Sequence, residues 1–304
     1  MRRAGVIGIG LMLAAAAPPA PIDLPGARLH PESVSIAPGG VAYVGSMTGG
    51  VLRVTLATGD VAQFVPPGGF GTGALFGVFA DPVNRMLWTC TNDFSGRGVS
   101  VAGSDPGSVL HGFDLATGRG RIRLPLPGDK PICNDIAVAR DGTIYVTDTS
   151  APVLLRWRKG AAGLEEWVRD PVFAAGLDGI ALGGDGDVYV NNVRTGALFG
   201  VRRMRDGRAG AVTPLLLSKP LVAPDGMRSL GGSVFVVAGG GRVDRVTIEG
   251  DRAMVETLAE GIDGITGVDH HKGTIWYSRG QLGPLFNPAS GPPAPFRLTP
   301  LAAR

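Results

Sequence analysis

The stretch Cys133–Asp148, "CNDIAVARDGTIYVTD", decides how the rest of the chain is read. Its second half is a hairpin signature. Apolar alternation runs into an Asp-Gly turn at Asp141–Gly142, and a β-rich "TIYVT" follows. Its first half is at odds with that pattern, because Asn134 and Asp135 stand where an inner, apolar strand begins. Either they make a turn, or the strand starts at a place that wants oxygen donors.

The same hairpin recurs along the chain. Aligned on the aromatic residue of the second strand, the copies are "GGVAYVGS" (Tyr43), "NRMLWTCT" (Trp88), "DGTIYVTD" (Tyr145), "DGDVYVNN" (Tyr189), "GGSVFVVA" (Phe235) and "KGTIWYSR" (Trp276). Their spacings are 45, 57, 44, 46 and 41 residues. Several short strands per repeat at this period signal a β-propeller. Two weaker strands follow most hairpins, as in "GVLRVTLATGDVAQFV" and "GRVDRVTIEGDRAMVETLA". The expected fold is therefore all-β, a six-bladed propeller of four-stranded blades over residues 21–304. The closing blade takes its outer strand from "FRLTPL" near the C-terminus or from "ARLH" near the N-terminus.

Ten to twelve residues before each aromatic lies the start of the innermost strand. The six segments are "PESVSI", "LFGVFA", "CNDIAV", "LDGIAL", "PDGMRS" and "ITGVDH", placing Glu32, Phe76, Asn134, Asp178, Asp225 and Thr266 in equivalent positions. Inner strands of a propeller run in one sense along the central channel, so these residues meet at one mouth. Asp-Gly and Asn-Asp also make ordinary turns at strand starts, but four oxygen donors in six equivalent slots exceed that explanation. Three carboxylates and an amide at close range raise one another's pKa or demand a counter-charge. A divalent cation meets that demand. Ligation by oxygen alone favours calcium, with magnesium, manganese or zinc as alternatives.

These motifs resemble the senescence marker protein / gluconolactonase / luciferin-regenerating-enzyme family of six-bladed propellers, with paraoxonase and diisopropyl fluorophosphatase as more distant relatives. The resemblance is carried by "PESV", "CNDIAVARDGTIYVTD", "LDGIAL" and "APDGM", and the repeats extend it over nearly the whole chain after residue 21. It implies one central divalent ion held by Glu32, Asn134, Asp178 and Asp225. The family usually has an asparagine, in "NGL" or "NGI", where this chain has Asp178. That departure adds negative charge to the site and puts any particular family substrate in doubt.

The implied chemistry is hydrolysis of a lactone or related ester, with the ion as Lewis acid. Asp225 is the expected general base, and Asp135 the expected partner that orients Asn134 or a water. The substrate wall is expected three residues beyond each hairpin aromatic, at Ser46, Thr91, Asp148, Asn192, Ala238 and Arg279. Arg279 is the one cation in that ring. Two long connections, "VPPGGFGTGAL" and "NDFSGRGVSVAGSDPGS", leave the same end and suit a lid. No histidine takes a catalytic place. His270 and His271 fall in a turn at the opposite end, His111 lies in an outer strand, and His30 stands two residues before Glu32. The competing readings are a non-enzymatic ligand-binding propeller built from NHL-like repeats and a strictosidine-synthase-like enzyme on the same fold.

Composition and the chain ends bound the rest. With 44% hydrophobic and only 18% charged residues, 49 Gly and 24 Pro, the chain suits a turn-rich β protein. "MRRAGVIGIGLMLAAAA" has the basic start and short apolar run of a secretory signal, so residues 1–20 are expected to direct export to the periplasm or beyond; an uncleaved anchor is the alternative. Setting aside Arg2 and Arg3 lowers the net charge from +3 to about +1. No nucleic-acid partner is therefore expected. A monomer without a stable membrane span in its mature form is. Cys90 and Cys133 lie outside any CxxC motif; buried free thiols are the default expectation, and a disulfide is the alternative in an exported protein.

Overall fold

The computed structural model describes residues 19–302, so the expected export signal lies almost entirely outside the described residues. Six sheets, numbered as blades 1–6 in the chain order of their inner strands, are arranged as a six-bladed β-propeller, and apart from one short edge strand the neighbours within each blade run antiparallel. Blade 3, for example, runs from Cys133–Val138 at the axis through Ile144–Asp148 and Val153–Trp157 to Glu165–Arg169 at the rim. Blade 5 departs from four strands: Leu216–Leu217 adds a short fifth, parallel to Arg252–Ala259.

Blade 6 closes the ring. Its inner three strands are Ile265–His271, Thr274–Arg279 and Arg297–Ala302, and its outer strand is the N-terminal Ile22–Asp23. Both expected candidates need correction. "FRLTPL" supplies the third strand, and "ARLH" is a turn and loop. The pairing Ile22↔Leu298 and Asp23↔Arg297 wins because Ile22 and Leu24 fill a pocket with Trp276, Phe296 and Leu298.

The repeated aromatics explain why blades stack. Tyr43, Trp88, Tyr145, Tyr189, Phe235 and Trp276 are all buried. The hydrophobic core is divided into clusters between consecutive blades. Trp88 packs with Ile136 and Ile144 of the next blade. Tyr145 packs with Ile180 and Val188, and Trp276 with Val34 and Ala42. Each such ring removes a large apolar area from water, worth about 2–3 kcal/mol.

Cys90 and Cys133 form a disulfide, with a Cα–Cα distance of 5.1 Å, which overturns the default of two free thiols. The bridge ties the second strand of blade 2 to the inner strand of blade 3. Asn92 brings the two together. Its side chain accepts from Cys133 N and donates to Cys133 O, both at 2.9 Å.

Each inner strand is irregular at its start. The register slips between Leu75 and Val78, Cys133 and Ile136, Leu177 and Ile180, Pro224 and Met227, and Ile265 and Val268, with a smaller slip between Pro31 and Ser33. Such bulges re-aim side chains out of the ladder. They present Glu32, Phe76, Asn134, Asp178 and Asp225 to the cavity at the channel mouth.

Candidate functional site

Glu32, Asn134, Asp135, Asp178 and Asp225 come together around one small cavity, of about 10 Å³ for a water-sized sphere. Ser33, Phe76, Gly77, Gly226 and Gly267 complete its wall. The four expected oxygen donors therefore converge, drawn from blades 1, 3, 4 and 5. Thr266, in the blade 6 slot, instead donates to Pro31 O and accepts from Gly280 N.

The residue after each slot sets how tightly the blades meet. Four of the six are glycine. A Cβ at Gly179 would lie 2.2 Å from Asp225 O, and one at Gly77 would lie 2.2 Å from Asn134 O. Each glycine thus lets the next blade's slot residue press its carbonyl against the strand. The two exceptions carry side chains that bridge the same gap. Asp135 Oδ2 accepts from Ile180 N at 3.2 Å, and Ser33 Oγ from Val78 N at 3.3 Å. The slot carbonyls are pinned from the second strands as well: Thr147 Oγ1 donates to Asp178 O and Asn191 Nδ2 to Asp225 O, each at 2.8 Å.

The acids are poorly solvated, and their electrostatics reflect it. Burial, then Asp225, Asp178 and Asp135, pushes the Glu32 carboxyl well above its ordinary range, with Arg228 opposing. Asp225 is raised by burial, then by Asp178 and Asp135, against the Gly226 N–H. Asp178 is pushed up to about 8 by burial and then by Asp135, against hydrogen bonds from Asn134 and Asp225. Asn134 spends its amide N–H groups on Thr149 Oγ1 at 2.8 Å and Asp178 Oδ2 at 3.0 Å. That leaves its carbonyl oxygen as a donor to a cation. Asp178 Oδ1 and Asp135 Oδ1 are buried without a hydrogen-bond partner among the described residues.

This donor set, all oxygen and mostly anionic, fits a hard divalent cation. The fit is one of chemistry rather than of finished geometry: among the described residues, no three His, Cys, Asp or Glu side chains form a ready ligand cage.

Arg228 is a buried charged residue beside the site that the sequence reading does not single out. It lies on the blade 5 inner strand three positions after Asp225. Its Nη1 donates to Asp135 Oδ2 at 2.7 Å and to Met227 O, and its Nη2 donates to Val78 O at 2.9 Å. Burial works against its charge, but Asp135, Asp269 and Glu32 hold its pKa up. Asp135 therefore spends one oxygen on Arg228 and on Ile180 N, in place of the expected partnership with Asn134. The Asp135–Arg228 pair also divides the channel. Beyond it lies a second chamber of about 280 Å³, lined by inner strands of all six blades and including Arg228 and Asp269. The signal was present in "PDGMRS": an arginine in an apolar inner strand is as much out of place as Asn134.

The expected substrate ring is mostly turned into the chain. Ser46 Oγ donates to Leu29 O at 2.6 Å. Thr91 Oγ1 is bonded to His111 Nδ1 at 3.1 Å. Asp148 accepts from Ile132 N and Ser150 N, and Asn192 from Arg194 N and Thr195 N. All four side chains are buried, as is Ala238. They brace the ends of the second strands. Arg279 is half-buried, with Nε donating to Asp263 O at 2.7 Å. Among the histidines, His30 is buried with Nδ1 against Gly280 O, and His111 is buried against Asp105. His270 and His271 stand at the far end of the blade 6 inner strand.

The second of the two long connections packs with a connection from blade 6 in an apolar cluster that reaches Phe76 at the mouth. Phe94 and Val99 pack with Met47 and Ala74, and Phe76, Ile132, Leu282 and Leu285 lie against them. Asp105 N donates to Gly71 O at 2.7 Å, tying the two long connections together.

Comparison with known proteins bears on the fold. No family model and no curated protein sequence matches the chain. Among solved structures, a gluconolactonase from Xanthomonas campestris is similar over 95% of this chain and 98% of its own, at 16% identity and a TM-score of 0.64. A catalytically inactive virginiamycin B lyase from Staphylococcus aureus, solved with quinupristin, matches 93% of this chain and 98% of its own, at 13% identity and a TM-score of 0.60. A PQQ-bound aldose sugar dehydrogenase from Streptomyces coelicolor covers 94% and 99%, at 16% identity and a TM-score of 0.58. The propeller is thus shared with gluconolactonases and with propellers of other chemistry. Among the described residues, no helix is long and apolar enough to cross a membrane.

Proposed function

We propose that the protein is an exported, divalent-metal-dependent hydrolase of a lactone or related ester, with Glu32, Asn134, Asp178 and Asp225 as the residues that hold the ion. Calcium suits the oxygen-only set best. The observation that carries the reading is the convergence of three carboxyls and an oriented amide on one cavity, where Asp178 Oδ1 lies buried without a donor among the described residues. Burying that much negative charge costs stability unless protons or a cation neutralise it.

When bound, the ion would supply Lewis-acid polarisation of the substrate carbonyl and a more acidic water. The chain supplies the rest. Asn134, its N–H groups committed to Thr149 and Asp178, offers a fixed oxygen. Asp225 is half-buried while Glu32 and Asp178 are nearly enclosed, so it is the carboxylate placed to take a proton from the attacking water. The burial of Glu32 and Asp178 strengthens the electrostatic contacts they make. Arg228 holds Asp135 away from the ligand set and offsets part of its charge.

The test is to treat the purified protein with a chelator and follow its melting as calcium or manganese is restored. Binding to the folded state raises stability by about 2.7 kcal/mol at a hundred times Kd. Asp225→Ala should lose both this rise and any turnover of a panel of lactones. A chelated protein that melts unchanged with either cation, and hydrolyses as the wild type does with Asp225 replaced, would end this reading and leave the non-enzymatic binding propeller in its place.

A further inference from the structure

An apolar cluster adjoins the acidic cavity and is continuous with it through Phe76. Phe76 lines the cavity beside Asn134 and Asp178. The same ring meets Phe94 edge-on at 5.0 Å, and Phe94 meets Phe286 at 6.3 Å. Leu282 and Leu285, from the short helix Leu282–Phe286, and Ile132, which precedes the Cys133–Val138 strand, pack on the same cluster. The cluster is only partly shielded from water. Phe76, Ile132, Leu282 and Leu285 are half-buried, and Phe286 is 42% exposed. Large apolar side chains contributed by an inner strand and two blade connections, left half in water at the mouth of a charged cavity, suit a ligand that is apolar on one side.

We infer that the substrate is a lactone or ester bearing an apolar chain or ring, seated against Phe76, Ile132, Leu282, Leu285 and Phe286 with its carbonyl at the acidic cavity. This rests on the hydrolase reading and deepens it by naming the substrate class. A polyhydroxylated sugar lactone would leave its hydroxyls facing this surface without partners, and unpaired polar groups are costly to desolvate. Hydrolysis adds water across the acyl C–O bond: the hydroxyl goes to the acyl carbon and the proton to the ring oxygen. A δ-lactone with an alkyl tail thus yields a 5-hydroxy acid, and the tail stays against the apolar cluster throughout.

The experiment compares wild type, supplied with calcium, on δ-valerolactone, δ-hexalactone, δ-octalactone, δ-decalactone and glucono-δ-lactone. The expected result is a kcat/KM that climbs about two- to fourfold per added methylene over the first few carbons, with glucono-δ-lactone the poorest of the set. Leu285→Ser and Phe76→Ser should flatten that slope, and Phe76→Leu should restore most of it. Hydrolysis that is indifferent to chain length, or fastest on glucono-δ-lactone, overturns the apolar-substrate inference while the hydrolase reading stands. Binding of δ-decalactone is measured in parallel by calorimetry. No hydrolysis of any lactone, together with binding that strengthens with chain length and is lost in Leu285→Ser, ends the hydrolase reading but supports the apolar site. No hydrolysis and no chain-dependent binding ends both.

Discussion

Asp178 is the residue whose substitution for the usual asparagine of the resembling family has the clearest consequence. In the folded protein its carboxyl is pushed up to about 8 by burial and then by Asp135, whereas in an unfolded chain it titrates near about 3.9. Across that window the folded protein holds more protons than the unfolded one. Stability of the chelated protein is therefore fullest below about pH 4 as far as this group is concerned, and falls as the pH rises towards 8. Thermal melts of chelated protein between pH 5 and 8 should show a Tm that declines with pH. Asp178→Asn should flatten the decline, because an amide in that slot has no charge to bury. Added calcium should act in the opposite direction, restoring Tm most strongly near pH 8, because the cation replaces the protons as counter-charge. A decline as steep in Asp178→Asn as in wild type would assign the pH dependence elsewhere.

At the scale of the strand, the site depends on how the inner strand of blade 3 is held. Cys133 is fixed three ways, by the disulfide to Cys90 and by two hydrogen bonds with Asn92, one donated and one accepted, and Asn134 follows it directly. Replacing both cysteines with alanine should cost about 2–4 kcal/mol of stability, as expected when a loop of this length loses its cross-link. It should also weaken calcium binding, read as a smaller calcium-induced rise in Tm than in wild type. An equal rise in the two proteins would confine the bridge to stability alone. The sequence reading of this strand shows what was legible and what was not. The hairpins were visible because alternation and Asp-Gly turns are local, and the slot residues because equivalent positions in a repeat meet in space. The disulfide was not, because its partners sit 43 residues apart and only the Asn92 clamp brings them into register. Arg228 is less legible because it falls outside the equivalent slots of the repeat, although its charge in an apolar strand is the same kind of anomaly. The glycine column was equally present in "FGV", "DGI", "DGM" and "TGV", but its reason, a carbonyl of the next blade at 2.2 Å from a would-be Cβ in the tightest cases, is a fact of packing that no single strand contains. The buried partners of Ser46 and Asn192 are likewise set by loop paths that the repeat does not encode.

At the scale of the whole molecule, the ring holds only if its two ends meet. Five blades are each built from one continuous run of chain, but blade 6 borrows Ile22–Asp23 as its rim strand. Ile22 and Leu24 pack with Trp276, Phe296 and Leu298, and Leu24 N donates to Phe296 O at 2.9 Å. This clasp lies immediately after the segment expected to be removed on export, so any cleavage compatible with a closed ring must fall before Ile22. Removing residues up to Leu24 would expose the edge of Arg297–Ala302, an unpaired strand that invites pairing with another chain. The loss of two buried aliphatic side chains amounts to about 3–5 kcal/mol, which should lower Tm on the order of 10 °C. The shortened protein should also associate with rising concentration, seen by light scattering coupled to size exclusion. A synthetic peptide spanning residues 19–26, added in excess, should recover part of the Tm and suppress association by refilling the edge. A shortened protein that stays monomeric and melts as the full chain does would show that blade 6 is complete with three strands, and that the N-terminal strand only decorates it.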